Sequence, residues 1–307
     1  MKYTSSKSVL SFLLAICFIV GLWSCTEQQK PNSQSSKVEA KAEKQAEEKR
    51  IDVSYSAWPI KGVDTAVESF KKKFGTEDQY KILAINRIDI ANIKRADTLI
   101  IPDKILGNFI DYSPFPLSLS KLNDVDKIVF FSYATQSFAA YEKGKLVYSG
   151  PTSMGTKIHP TPTGLYFANW KAEETISTVD DEWKLKWNFN VENKEGIGWH
   201  QYAMPGYPAS HSCLRMLETD AKWMYEWADQ WIVEGENNVL AQGTPTVVFG
   251  AYPFGARRPW LHLLDNPKAN EISKEDLAKE LEPLLPRIME QQNKRKAVKD
   301  AQVDSTK

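Results

Sequence analysis

Ser210-His211-Ser212-Cys213-Leu214-Arg215-Met216 is the stretch that decides the fold of this 307-residue chain. The chain has three cysteines, and Cys17 and Cys25 lie in an amino-terminal segment typical of export signals. Once that segment is processed, Cys213 has no intramolecular disulfide partner. A free thiol, with a pKa of about 8.5, can pass its proton to a neighbouring imidazole, which makes Cys213 a candidate nucleophile. Taken alone, a cysteine is more often a small buried hydrophobic residue.

Two histidines are candidates for the base that activates Cys213. His211 is two residues before the cysteine, so on an extended strand the two side chains would point to the same side. His200 is eleven residues before His211, and the Pro205-Gly206-Tyr207-Pro208 turn between them can bring the chain back. Spacing alone leaves both histidines open. The backbone N–H groups of Ser212 and Cys213 are candidate donors to a developing oxyanion.

A zinc site is the alternative reading of the same residues. His200, His211 and Cys213 are all possible zinc ligands. A fourth ligand is not evident, and the paired Cys-x-x-Cys spacing of structural zinc sites is absent from the sequence. The pattern therefore favours nucleophilic chemistry over metal binding.

The amino-terminal residues indicate export. Residues 1–25 combine early lysines with an apolar run over residues 9–23, which is shorter than a membrane span of about 20 residues. The run ends at Leu22-Trp23-Ser24-Cys25, which resembles the lipobox of bacterial lipoproteins. This resemblance implies a lipid on Cys25, a membrane partner through that lipid, and a place at the periplasmic face of a membrane in the cell envelope; an ordinary cleaved signal or a signal anchor is the alternative. Residues 26–50 are polar and are predicted to form a flexible charged tether.

Composition limits the classes of partner. The chain has 39 basic and 39 acidic side chains, so its formal net charge is zero and no bulk field attracts nucleic acid. Ten tryptophans, twelve tyrosines and thirteen phenylalanines supply ample material for a core. The remaining 250 or so residues suit one large or two modest domains, and composition leaves the oligomeric state unknown.

Residues 51–118 are predicted to form a small α+β subdomain. Residues 63–74 have helical spacing, and the later order of helix, polar turn and apolar strand ends at Pro102. Part of this region resembles the second half of a LysM peptidoglycan-binding module, although the first strand and Gly-Asp-Thr turn of that module are not evident. The residues that carry the resemblance are Ile82, Ile85, Asn86, Ile93, Asp97, Leu99, Ile101 and Pro102. A packing subdomain without a ligand is the alternative.

Residues 121–252 are predicted to form a mainly β domain, a sandwich of mixed sheets with one packed helix. Short strands with intervening turns are predicted at 128–133, 137–141, 146–148, 164–168, 183–191, 197–202 and 245–249. Thr219 is predicted to cap the helix, with Trp231 on its apolar face. Residues 253–307 are predicted to be a charged, helical extension whose amphipathic end is solvated.

The order of these motifs resembles the L,D-transpeptidases, whose catalytic domain is also called YkuD-like. The core of the family has a histidine, a loop, and then Ser/Thr-His-Gly-Cys followed by an apolar residue and Arg or Asn. Residues 198–216 of this chain follow that pattern, and Thr161-Pro162-Thr163-Gly164 resembles the family's TPxG element. The opening strands at 128–141 and the closing strand at 243–250 also agree.

The resemblance implies a role for each matched residue. Cys213 would be the nucleophile and His200 the general base. His211 would orient the loop and is the alternative base, while Arg215, with Ser210 and Ser212, would contact substrate or the oxyanion. The family attacks the carbonyl before the terminal D-alanine of a peptidoglycan stem peptide, forms a thioester, and transfers the acyl group to an amine or to water. It needs no metal and no organic cofactor.

Ser212 departs from the family pattern, which has glycine before the cysteine. If the backbone at this position has a positive φ, serine costs about 1–2 kcal/mol there and can tilt the neighbouring N–H group. The alternative function is therefore a catalytically weak or inactive peptidoglycan-binding lipoprotein.

Overall fold

The computed structural model describes residues 51–177, 180–235 and 238–304. The predicted signal at 1–25, the lipidation site Cys25 and the tether at 26–50 lie outside the described residues. Within these three ranges, no helix has both the length and the apolar character of a membrane-crossing segment.

Residues 51–118, here called the amino-terminal subdomain, are built on two antiparallel strands. Its elements are β1 (Tyr55–Pro59), α1 (Ala66–Lys73), α2 (Thr76–Ile85), β2 (Thr98–Pro102) and 3-10 helices at Ile90–Arg95 and Phe109–Tyr112. β1 pairs with β2, and apolar side chains including Phe70, Ile82 and Leu99 form a core beneath them. The sequence pattern missed β1, because three of its five side chains are exposed, none is buried, and no apolar run marks the strand.

The next region contains two main sheets. The first has the order β5-β4-β3-β13-β6 and the second the order β10-β9-β8-β7, with a separate β11-β12 hairpin. The strands are β3 (Ile128–Ser132), β4 (Ser137–Glu142), β5 (Lys145–Pro151), β6 (Gly164–Phe167), β7 (Lys171–Ile176), β8 (Lys184–Glu192), β9 (Ile197–Gln201), β10 (Leu214–Met216), β11 (Ile232–Glu234), β12 (Asn238–Ala241) and β13 (Pro245–Phe249), with a 3-10 helix at Ser120–Leu122 between the subdomain and β3. Because β13 runs parallel to β3 and β10 parallel to β9 while the other pairs are antiparallel, the prediction of mixed sheets is confirmed.

Side chains from both sheets and from one helix share the core of this region. The ring of Phe131 on β3 lies 6.1 Å from the ring of Trp199 on β9, centroid to centroid. Helix α3 (Glu218–Trp227) follows β10 and adds Met224 to the same cluster. This burial fixes β9 and β10, the two strands that carry the candidate site.

The expected details of helix α3 are wrong at both ends. Leu217 occupies the N-cap position without a side-chain hydrogen bond, so Thr219 lies inside the first turn, and the helix ends at Trp227, before Trp231. The reason is that the chain leaves β10 in an extended conformation, with ψ of 154° at Leu217, and turns directly into the helix.

A buried carboxyl group joins α3 to the amino-terminal subdomain. Tyr80 of α2 and Tyr148 of β5 donate hydrogen bonds of 2.6 and 2.9 Å to Oδ1 of Asp220. Oδ2 of Asp220 has no hydrogen-bond partner among the described residues. Burial raises the pKa of Asp220 to about 7, although the two tyrosine hydroxyls act in the opposite direction.

The carboxy-terminal extension covers the outer face of the five-stranded sheet. It comprises a 3-10 helix (Pro259–Leu264), α4 (Lys274–Leu281) and α5 (Leu285–Asp304). Leu277, Leu281 and Ile288 are buried in one cluster with side chains of β3, β4 and β13. The expectation of a solvated end is wrong for these turns, because their leucines and isoleucine cover the apolar face of the sheet.

Candidate active site

Two adjacent parallel strands bring the predicted site residues together. In the β9–β10 register, His200 lies beside Arg215 and Trp199 beside Leu214. Cys213 immediately precedes β10, so the loop that crosses between the two strands ends at the thiol. His200, Cys213 and Arg215 therefore line the same narrow cleft, together with Ser210 and His211.

His200 has the protonation state of a base at rest. It is 2% exposed, and its Nδ1 lies 3.0 Å from the carbonyl oxygen of Gln201, which can only accept a hydrogen bond. Nδ1 therefore carries the proton and Nε2 has a free lone pair. Nε2 is buried and has no hydrogen-bond partner within the described ranges. Burial lowers the pKa of His200 to about 4, so the imidazole is neutral at pH 7.

Cys213 is a protonated thiol at rest. The half-buried Sγ lies 3.7 Å from the carbonyl oxygen of Gly196 and donates its proton to it. Burial raises the pKa of the Cys213 thiol, while a hydrogen bond from the Gly198 backbone and the charge of Arg215 act against that rise. Burial prevails, so a base is needed to form the thiolate.

Ser212 has a φ of 86°, so the backbone before the cysteine is left-handed and meets the condition under which serine is strained. Two hydroxyl groups hold this turn. Thr161 Oγ1 donates to the carbonyl of Ser212 at 2.8 Å, and Ser210 Oγ donates to the carbonyl of Cys213 at 2.6 Å. The conformation is thus fixed by groups other than the serine side chain itself.

The segment after β5 braces the loop from its other side. Ser153 and Arg215 exchange two backbone hydrogen bonds of 3.0 and 3.1 Å, and the N–H of Thr156 donates to the carbonyl of Ser210 at 3.0 Å. Between them, a Cβ at Gly155 would lie 2.2 Å from the backbone oxygen of His159, a distance that real side chains do not reach. Only glycine fits this crossing.

His211 lies at the rim of the cleft, away from the position of a buried base. Its exposed ring is flanked by His159 and Trp183, with centroid distances of 4.4 and 5.3 Å. The predicted extended alignment of His211 with Cys213 is wrong, because the positive φ of Ser212 turns the chain between them. Sequence reasoning missed Trp183 as a wall of the cleft, since a single aromatic residue at the start of a predicted strand carries no positional signal.

Arg215 presents a guanidinium group to the cleft. It stacks on Tyr202, 4.6 Å from the ring centroid, and donates a hydrogen bond of 3.3 Å to the carbonyl of Ala203. Burial lowers the pKa of Arg215 without neutralising it. No carboxylate forms an ion pair with it in the described part of the chain, so it is available to an anionic group.

The loop between His200 and Cys213 is attached to the amino-terminal subdomain. The N–H of Asp89 donates to the carbonyl of Met204 at 2.9 Å, and the N–H of Met204 donates to Oδ2 of Asp89 at 2.7 Å. Ile88 and Pro205 form an isolated antiparallel bridge next to this pair. We call these contacts the Asp89 clamp.

The described side chains form no cluster of three or more His, Cys, Asp or Glu residues that could hold a metal ion. The chemistry that the arrangement offers is therefore that of a thiol with a buried neutral imidazole, beside one arginine.

Part of the chain is similar to proteins that are already known. Residues 126–248 match the family model described as the L,D-transpeptidase catalytic domain, YkuD. A search of curated proteins gave no significant match. Among solved structures, an L,D-transpeptidase from Stackebrandtia nassauensis is 23% identical, with coverage of 42% of this chain and 57% of that chain and a TM-score of 0.34. An L,D-transpeptidase from Mycobacterium smegmatis is 20% identical, with coverage of 41% and 59% and a TM-score of 0.33.

A third solved structure is L,D-transpeptidase 3 from Mycobacterium tuberculosis in complex with a faropenem-derived adduct. It is 23% identical, with coverage of 41% of this chain and 60% of that chain and a TM-score of 0.32. The chain thus spans less than two-thirds of the length of each of these three proteins. The stretch at 126–248, which includes His200, Cys213 and Arg215, is thus similar to the YkuD L,D-transpeptidase catalytic domain.

Proposed function

We propose that the protein is an L,D-transpeptidase that carries peptidoglycan stem peptides as a thioester on Cys213. The observation that carries this proposal is the buried, neutral His200, which lines the same cleft as the thiol and whose Nε2 has no hydrogen-bond partner among the described residues. A base of this tautomer can accept a proton from the nucleophile and return it to a leaving amine. The family match over 126–248 supplies the substrate class.

The first half-reaction forms the acyl-enzyme. Nε2 of His200 takes the proton of Cys213 Sγ while Sγ attacks the carbonyl carbon before the terminal D-alanine. The backbone N–H groups of Ser212 and Cys213 stabilise the resulting oxyanion. When the tetrahedral intermediate collapses, the C–N bond breaks, and the D-alanine amine leaves with the proton from His200.

The second half-reaction transfers the acyl group. An amine of a second stem peptide attacks the thioester carbon and passes its proton to His200. The C–S bond then breaks, and the proton returns to Sγ. The product is a cross-link joined by an amide bond, and no cofactor takes part in either step.

Arg215 binds an anionic group of the acyl donor in this mechanism. Its guanidinium is stacked on Tyr202, so it is already oriented when substrate enters. Preorganised charge of this kind costs little reorganisation during the reaction.

The test is incubation with purified muropeptides, followed by measurement of released D-alanine and of new cross-links. Wild type should give both products, and Cys213→Ala and His200→Gln should lose them. His211→Ala is the matched control, because that ring lies at the rim, and it should retain at least a tenth of the activity. Identical products from wild type and Cys213→Ala would refute the proposal.

A second candidate function is a binding protein that keeps the fold with little catalysis. The φ of 86° at Ser212 favours it, because a strained turn next to the nucleophile can misplace the oxyanion donors. Mass spectrometry after exposure to a carbapenem separates the two functions. A reactive thiol gives an acyl adduct that Cys213→Ala lacks, whereas a binding protein retains muropeptides and gives no adduct.

The lipid anchor on Cys25 and a place at the periplasmic face of a membrane complete the proposal. The supporting pattern is the apolar run that ends at Ser24-Cys25. Labelling with a fatty-acid analogue should mark wild type and leave Cys25→Ala unlabelled. Equal labelling of both proteins would contradict lipidation at this residue.

A further inference from the structure

Two arginines lie against one tyrosine in the loop that leads to the nucleophile. The guanidinium carbon of Arg258 lies 5.4 Å from the ring centroid of Tyr207. Nη1 of Arg95 lies 3.5 Å from the hydroxyl oxygen of the same tyrosine. Arg95 ends the 3-10 helix of the amino-terminal subdomain, whereas Arg258 belongs to the carboxy-terminal extension. Two distant parts of the chain thus place positive charge on one side chain.

Neither charge is neutralised within the described residues. Arg95 and Arg258 form no ion pair there, although the neighbouring Arg257 is paired with Asp265. The nearby carboxylate of Asp97 is 3.3 Å from Lys61, which is its ion-pair partner. Both guanidinium groups are solvent-accessible and are therefore available to an anionic ligand.

This pair is connected to the cleft through the backbone of Tyr207. Ser153 Oγ donates a hydrogen bond of 2.8 Å to the carbonyl of Tyr207, and Ser153 is also paired with the backbone of Arg215. The two outer arginines are thus linked through Tyr207 and Ser153 to the strand that carries Arg215.

The Asp89 clamp holds the segment that leads to Tyr207 against the amino-terminal subdomain. It fixes Met204 and Pro205, three and two residues before Tyr207, to the subdomain that supplies Arg95. A cavity of about 310 Å³ on the other side of Arg258 is lined by residues of the subdomain and of the extension, among them Asp97 and Arg257. The two arginines are thus fixed relative to the nucleophile, as binding of an extended substrate requires.

We propose that Arg95 and Arg258, held on Tyr207, form a subsite for a carboxylate of the acyl-donor peptide, outside the catalytic cleft. The subsite rests on the proposed function, since it assumes a stem peptide as the donor. Guanidinium groups bind carboxylates through paired, charge-assisted hydrogen bonds, and the two oxygens of one carboxylate can accept hydrogen bonds from both arginines. The amino-terminal subdomain then contributes directly to substrate binding.

The test measures peptide binding to the full-length Cys213→Ala protein by calorimetry, so that no turnover occurs. One ligand is a stem tetrapeptide with free carboxylates, and the other is the same peptide with its carboxylates converted to carboxamides. Arg95→Gln and Arg258→Gln should each weaken binding of the acid by about tenfold and change binding of the amide less than twofold. Arg257→Gln is the matched control and should change neither.

Two results would overturn the subsite. Equal weakening of both peptides would mean that the arginines only support the structure, and unchanged affinity in both variants would mean that they do not contact the ligand. If the Cys213→Ala protein with all three arginines intact binds neither peptide, the proposed function and the subsite fail together. Specific loss of the acid peptide alone supports the subsite.

Discussion

Replacing Ser212 by glycine should stabilise the protein, although it removes a side chain. At a φ of 86° an L-residue is strained by about 1–2 kcal/mol, and glycine is not. Glycine loses more backbone entropy on folding, which costs about 0.5–1 kcal/mol in return. The hydroxyl of Ser212 makes no hydrogen bond in the described ranges, and the bond from Thr161 to the Ser212 carbonyl is kept. The net gain is therefore about 0.5–1 kcal/mol.

Urea denaturation and thermal melting would measure this gain. A gain of that size raises the Tm of a folded unit of about 250 residues by roughly 1–4 °C. Lys143→Gly is the matched control, because Lys143 has a φ of 45° in the β4–β5 turn, far along the chain from the thiol. Both variants should be stabilised, and only Ser212→Gly should change the rate at which a carbapenem acylates Cys213. If Ser212→Gly is destabilised while Lys143→Gly is stabilised, the strain argument is wrong.

The remaining predictions concern the supports of the site. Gly155→Ala should cost about 1–3 kcal/mol in urea denaturation and slow carbapenem acylation, because the new methyl group forces the crossing backbone apart; an unchanged acylation rate would contradict the crossing. The pKa of Asp220 is about 7 in the folded protein and about 4 in the unfolded chain, so its contribution to the free energy of unfolding falls as the pH rises from 4 to 7. Asp220→Asn should remove this loss of stability. His200 acts in the opposite direction, because its pKa is about 4 in the folded protein and about 6.5 in the unfolded chain. In the Asp220→Asn variant the free energy of unfolding should therefore rise from pH 4 to 6.5. A flat profile would argue against a buried neutral imidazole. Asp89→Ala should leave the backbone N–H of Met204 unpaired and lower the free energy of unfolding by about 1–3 kcal/mol. It should also lower kcat more than it raises KM. A purely structural clamp would leave kcat of the folded fraction unchanged.

The candidate site could be predicted from sequence where one local rule decides the geometry. The histidine-to-cysteine order placed His200 and Cys213 in one cleft, and the departure from glycine marked Ser212 as a position where the sign of φ matters. The same φ explains why the predicted alignment of His211 with Cys213 fails. A pattern of period two describes a strand, and it does not hold across a left-handed residue.

Contacts between distant segments could not be predicted in this way. The stacking of His159 on His211 and the bonds between Asp89 and Met204 join residues with no shared periodicity. The packing of the carboxy-terminal helices was missed for a related reason: charged residues outnumber the apolar ones there, so α5 has no clear apolar face in its sequence. The helices are held on the sheet by a few buried side chains such as Ile288, and only the folded sheet provides the surface that buries them.

The Asp89 clamp also bears on how the chain can be divided. The residues that match a known catalytic domain begin at 126, yet the Met204 N–H within them is satisfied by a carboxylate 115 positions earlier in the chain. A fragment trimmed to the match would lose that partner and would expose Phe130 and Val247 to water, since they are buried in one cluster with the carboxy-terminal helices. The smallest fragment that keeps the loop of the nucleophile in shape therefore starts well before residue 126. Substitutions in the flanking segments should then change the reactivity of the thiol, as substitutions next to Cys213 do.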